Sequence, residues 1–188
     1  MDGLFPHLEP HGFILKVNRN PAHTIDAEAV RRDAAYWKPH LEAVVGGWVK
    51  SGVGTTQVCE FAERVFVERK YEGFAGDRRF VENDPTRRFY SALRASIASV
   101  YAWRATHADS ADERRRLGDA ARQAYREAFV LYPGSPDAVL GFAKLLSESG
   151  LRGEALRVAE TAAHVAPSQG VFRDLVSGLK APASSPGR

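Results

Sequence analysis

The residues best equipped for chemistry are six histidines and one cysteine, and their spacing gives them little to do. His7, His11, His23, His40, His107 and His164 are scattered. None pairs with another histidine, a cysteine or an acid at metal-ligand spacing on one helix face. His7 and His11 are four apart, the spacing that would align two ligands on a helix, but Pro10 between them forbids that helix. Cys59 has no second cysteine to bridge to. Its helical spacing with Val58, Phe61 and Ala62 predicts a buried, inert thiol. Serines and aspartates are plentiful, yet no Gly-x-Ser-x-Gly elbow occurs. Gly73-Phe74-Ala75-Gly76-Asp77 is no phosphate loop, since no Lys-Ser/Thr follows it and no strand precedes it. Trp37, Trp48, Trp103, Tyr101 and Tyr125 lie at core spacing rather than on a stacking platform. The expectation is a non-enzyme with no catalytic residue, no metal site and no cofactor, whose function lies in binding.

The elements that would present a binding surface are written twice between Leu117 and Pro167. Stepping by 34 residues, Leu117 falls on Leu151, Ala121 on Ala155, Tyr125 on Ala159, Ala128 on Ala162 and Pro133 on Pro167. Val139, Phe142, Ala143 and Leu146, followed by Gly150 at a turn, supply the first helix of the second copy. Small residues at Ala155, Ala159 and Ala162 let two helices approach closely, with Arg157 expected on the opposite, solvated side. This pattern resembles the tetratricopeptide repeat, whose period is about 34 residues. The likeness is good over Pro136–Gln169 and partial before it, and Val139 and Phe142-Ala143 stand where the repeat has Trp and Leu-Gly. It implies an all-α stack of antiparallel helix pairs with a concave groove for a protein or peptide partner. Off the inward face, the groove positions are Leu140, Lys144, Ser147 and Glu148, a mixed apolar and cationic strip able to grip an extended segment and pair with a carboxylate.

Bulk properties fit this reading. The chain has 188 residues, 44% hydrophobic and 26% charged, enough for one core or a small domain with a short repeat array. Basic and acidic residues number 26 and 23 and are interleaved, as in Asp112-Glu113-Arg114, which argues against a nucleic-acid footprint. No apolar run reaches the roughly 18–20 residues of a membrane span, so no direct insertion is expected. The amino terminus lacks a signal peptide's basic and apolar regions.

In chain order, residues 1–25 form an extended arm in which Gly12–Val17 reads as one short strand, with no convincing second strand later. Either it packs as an arm or its partner lies upstream. A helical region, 26–108, follows. Asp26–Val45 is a helix capped by Thr24 or Asp26, apolar at Val30, Ala34, Trp37, Leu41 and Val44, and kinked or split at Pro39. Thr55–Tyr71 is a second helix, with Val58, Phe61, Ala62, Val65 and Phe66 inward. These two are expected to form a hairpin against a third, capped by Asp84 before Pro85 and ending near His107, with Phe89, Leu93, Ile97, Val100 and Tyr101 inward. Residues 109–180 hold the repeats. A Ser110/Glu113 capping box starts their first helix about two turns early, and Val171–Lys180 caps the stack. Residues 181–188 are expected to be a disordered tail.

A second resemblance rests on Leu4–Gly12, Val58–Ala62, Phe74–Asp77 and Leu93–Arg104 in that order. These segments are similar to the C-terminal soluble region of polytopic bacterial membrane proteins related to protein O-mannosyltransferases. In that family tetratricopeptide-like helices follow a membrane domain of glycosyltransferase type that uses lipid-linked sugars. The family's spans and its acidic loop residue are absent here, so no catalytic residue carries over. Two expectations follow. A complete chain is a cytoplasmic interaction scaffold. A fragment of this family is an extracytoplasmic, membrane-tethered accessory region partnered by a membrane-embedded glycosyltransferase-like domain.

Overall fold

The computed structural model describes residues 3–22, 24–48 and 52–181. The elements are β1 (Leu8–His11), β2 (Ile14–Val17), α1 (Ala27–Val45), α2 (Thr55–Ala62), a π-helical turn (Glu63–Val67), α3 (Arg78–Glu82), α4 (Asp84–Thr106), α5 (Ala111–Leu131), α6 (Pro136–Glu148), α7 (Arg152–Val165) and α8 (Gly170–Lys180). The fold is all-α with a short two-stranded hairpin at its amino-terminal end. The expected tail lies outside the described residues from position 182 onward.

The longest seam runs between α4 and α5, which lie antiparallel: Ser91 bonds Ala128, Arg94 bonds Glu127, and Ser99 bonds Tyr125. This seam joins residues on both sides of position 108, and one hydrophobic core extends from Leu8 to Phe172. Each later helix packs on the one before, α5 on α6, α6 on α7 and α7 on α8. Ala155, Ala159 and Ala162 are fully buried, as close packing of α7 requires. Ser110 accepts from Glu113 N (3.1 Å), but the reciprocal half of the capping box is not made, because the Glu113 carboxylate turns toward Arg116 (4.0 Å). The early start still makes α5 21 residues long, against 13 and 14 for α6 and α7.

Several expectations are corrected. The strand's partner lies within the chain: Leu8–His11 pairs antiparallel with Ile14–Val17 across a turn in which Gly12 has φ +64°. Pro10 is tolerated because each strand of a lone hairpin has a free edge. α1 runs unbroken through the exposed Pro39, and the His40 ring bonds the Tyr36 carbonyl near the interrupted ladder (2.7 Å). Asp26 caps α1 through Glu28 N (3.0 Å). Its buried stripe is Ala29, Asp33, Trp37, Leu41 and Val45, leaving Ala34 exposed.

The second helix stops at Val67 rather than Tyr71, with a π-type bond from Glu68 N to Glu63 O and Arg69 at φ +53°. It forms no hairpin with α1 and packs instead on α7. Thr55 bonds Glu154, and Glu63 accepts from Thr161 (3.0 Å) and faces Arg157 (3.5 Å), so Arg157 is not on a free solvated side. Asn83, not Asp84, caps α4 (3.1 Å), while Asp84 pairs with Arg87 and Arg88. Phe89 is 61% exposed, because the inward stripe at that end of α4 runs through Ser91 and Arg94.

The arm is held by arginines from the helices. Arg104 donates to the carbonyls of Ala22, Pro6 (2.7 Å) and Leu8 (3.4 Å), and Arg116 to that of Ile25 (2.8 Å). Phe13 in the hairpin turn packs edge-on against Tyr36, Trp37, His40 and Tyr90. Phe5 stacks on Trp103.

Candidate functional site

α5 is 21 residues long and α6, packed on it, only 13, which leaves an uncovered shelf. The early amino-terminal turns of α5 form one side of an open cleft of about 790 Å³, with the carboxyl-terminal part of α4 and the outer face of α6 as the others. From α4 come Ser99, Trp103 and Thr106, from α5 Arg114, Arg115, Gly118, Asp119 and Arg122, and from α6 Gly141, Lys144, Leu145 and Glu148. Tyr125 closes the bottom, its hydroxyl 2.9 Å from Ser99 Oγ, and burial raises its phenol pKa above the ordinary value. The ring fits only because position 141 is glycine: a Cβ there would lie 2.4 Å from it.

Of the four groove residues expected from the sequence, Lys144 and Glu148 line this cleft and pair with each other at 3.8 Å. Leu140 and Ser147 do not line it. Leu140 is 37% exposed on another side of α6, and Ser147 Oγ is buried without a partner. The α6 residues facing the cleft are thus Gly141, Lys144, Leu145 and Glu148, because the neighbouring walls are α4 and the long α5 rather than the concave side alone. The missed residues are Trp103, which is half-buried, and the arginines of α5; the Arg114-Arg115-Arg116 run in the early turns was the available signal.

A second cleft of about 620 Å³ continues from the first, sharing Asp119 and Arg122. Its other walls include Thr55 and Thr56 at the start of α2, Gln123 and Arg126 on α5, and Glu154 on α7. Together the two make a trough along α5.

Beneath it lies a closed charge cluster. Arg94 donates to Asp33 (2.7 Å) and Glu127 (2.6 Å), Tyr101 donates to Asp33 (3.0 Å), and Gln123 donates to Glu127 (2.8 Å). The guanidinium also covers the Trp37 ring at 4.9 Å. Burial opposes its charge, but the two carboxylates outweigh burial and raise the Arg94 pKa. Gln123 is its one member that also lines the second cleft; Asp33, Arg94 and Glu127 are buried and engaged with one another, which joins α1, α4 and α5. Burial pushes the Cys59 thiol up to about 11, against a bond from Thr161 that lowers it, which leaves the thiolate scarce at neutral pH. Among the described residues no group of three or more His, Cys, Asp or Glu side chains is placed to hold a metal, and no helix is long and apolar enough to cross a membrane.

Comparison of the chain with models of known protein families, with curated proteins and with solved structures finds no match.

Proposed function

We propose that this chain is a non-catalytic interaction module, of tetratricopeptide type in its helix pairs, that holds a peptide of a partner protein in the cleft between α4, α5 and α6. The observation that carries this reading is the cleft itself: open, apolar at Trp103 and Leu145, and cationic at Lys144 and the α5 arginines. Selection from a displayed random-peptide library tests it. Enriched peptides should lose binding on Trp103→Ala and Lys144→Glu while circular dichroism stays unchanged. Failure to enrich any peptide, or enrichment of peptides indifferent to both substitutions, refutes the proposal.

A second reading is an extracytoplasmic accessory region of a membrane glycosyltransferase-like protein. It is favoured by the meeting of two segments that carry that likeness, since Phe5 stacks on Trp103 and Arg104 binds the Pro6 and Leu8 carbonyls. The genomic sequence upstream of Met1 tests this. A continuous frame rich in apolar spans supports it and places the module outside the cytoplasm. An in-frame stop there removes it and leaves the interaction module.

A further inference from the structure

The trough is not uniformly cationic, and its pairing pattern is informative. Arg115 pairs with Asp112 (2.5 Å), Arg122 with Asp119 (4.0 Å) and Lys144 with Glu148 (3.8 Å). Arg114 and Arg126 have no carboxylate partner among the described residues. Arg114 donates only to the Ala108 carbonyl (3.0 Å), and Arg126 only to the Gln123 amide oxygen (3.1 Å). The Nε–H groups of Arg122 and Arg126 are both buried with no acceptor, a costly arrangement in a folded protein. Burial and the adjacent Arg122 charge hold the Arg126 pKa below the ordinary guanidinium value, although the Glu154 and Glu127 carboxylates, beyond ion-pair distance, raise it.

Arg114 lines one end of the trough and Arg126 the other, twelve positions apart on α5. At about 1.5 Å and 100° per helical residue the two lie roughly 18 Å apart along the axis and about 120° apart around it, so the path between them crosses α5 diagonally. An extended chain covers the axial distance in about five residues and the diagonal in about seven.

We infer that the trough takes an extended acidic segment of a partner protein, two of whose carboxylates, about five to seven residues apart, reach Arg114 and Arg126. The inference rests on the peptide-binding reading and adds the ligand's charge and spacing. Asp119 near the middle and Glu154 at the Arg126 end repel any further acid, so the segment carries no charge besides the two carboxylates.

Fluorescence anisotropy with labelled Gly/Ser peptides provides the test. The peptides carry two glutamates that are adjacent, about six apart or about twelve apart, beside a neutral control. The intermediate spacing should bind tightest. Arg114→Gln and Arg126→Gln should each weaken it by about tenfold, and Arg31→Gln on α1, outside the trough, should leave it unchanged. Asp119→Asn should tighten binding, an outcome that misfolding cannot imitate. Equal affinity at all spacings, indifference to Arg126→Gln, or tighter binding of oligouridylate than of any of these peptides overturns the inference. If only neutral library peptides bind, and Trp103→Ala abolishes that binding, the interaction module stands while its acidic ligand is refuted.

Discussion

Arg94 of α4 and Asp33 of α1 meet at 2.7 Å with both side chains only 2% exposed, sixty-one residues apart in sequence. Glu127 of α5 takes the other side of the same guanidinium at 2.6 Å. A single guanidinium thereby ties three helices into one register.

Removing the cation alone should be severe. Arg94→Met leaves two buried carboxylates unpaired and is expected to cost about 3–5 kcal/mol in urea denaturation. The triple change Asp33→Leu, Arg94→Met, Glu127→Leu removes the desolvated charges together and should recover most or all of that loss. A single Arg94→Met variant as stable as the parent would show that the cluster does not hold the helices.

Two glycine-to-alanine changes inside helices should have opposite signs. Gly118 on α5 has open space where a Cβ would go, so Gly118→Ala should stabilise by about 0.5–1 kcal/mol through helix propensity. Gly141 on α6 has the Tyr125 ring at 2.4 Å, so Gly141→Ala should destabilise by about 1–3 kcal/mol despite the same gain. Thermal melts of both variants decide the matter, and equal shifts would contradict the packing of Tyr125 against α6.

Arg104 binds three carbonyls of the arm, and burial, the largest influence on it, lowers its pKa. Arg104→Met should free residues 6–22 while leaving α4–α8 folded. Limited proteolysis should then cut near Asn18–Asn20 well before the helices, with little change in helical circular dichroism. An arm that stays as resistant as in the parent would mean that Phe5 and Phe13 suffice to hold it.

The raised Cys59 pKa gives an alkaline signature. The folded state keeps the thiol protonated up to about 11, whereas the unfolded chain releases the proton near 9.0. Its contribution is fully present below pH 9 and is lost as pH rises through 11, a change of order 2 kcal/mol. Urea titrations from pH 8 to 11 should therefore fall more steeply for the parent than for Cys59→Ala. At pH 8 the native thiol should resist iodoacetamide and react once urea unfolds the chain.

The sequence by itself determined every helix except the short α3, which no apolar periodicity announces, and where most of them start and stop. The 3–4 spacing of apolar residues marks α1, α2 and α4, and the 34-residue step marks α5 to α8, because these signals arise between neighbours one turn apart. The early start of α5, from which the trough follows, was also written locally at Ser110. Only the tertiary structure decided which faces meet. Asp33 occupies a core position that a hydrophobic pattern skips, since its burial depends on Arg94 from another helix. The same holds for the choice of α7 over α1 as the partner of α2, set by Thr55–Glu154 and Thr161–Glu63, both about a hundred residues apart. The β1 strand, only four residues long and containing Pro10, takes its shape from β2 and from Arg104 on α4. The trough likewise belongs to no single segment. Periodicity records that a face must be buried, but the identity of its partner lies in shapes and charges that only the folded chain brings together.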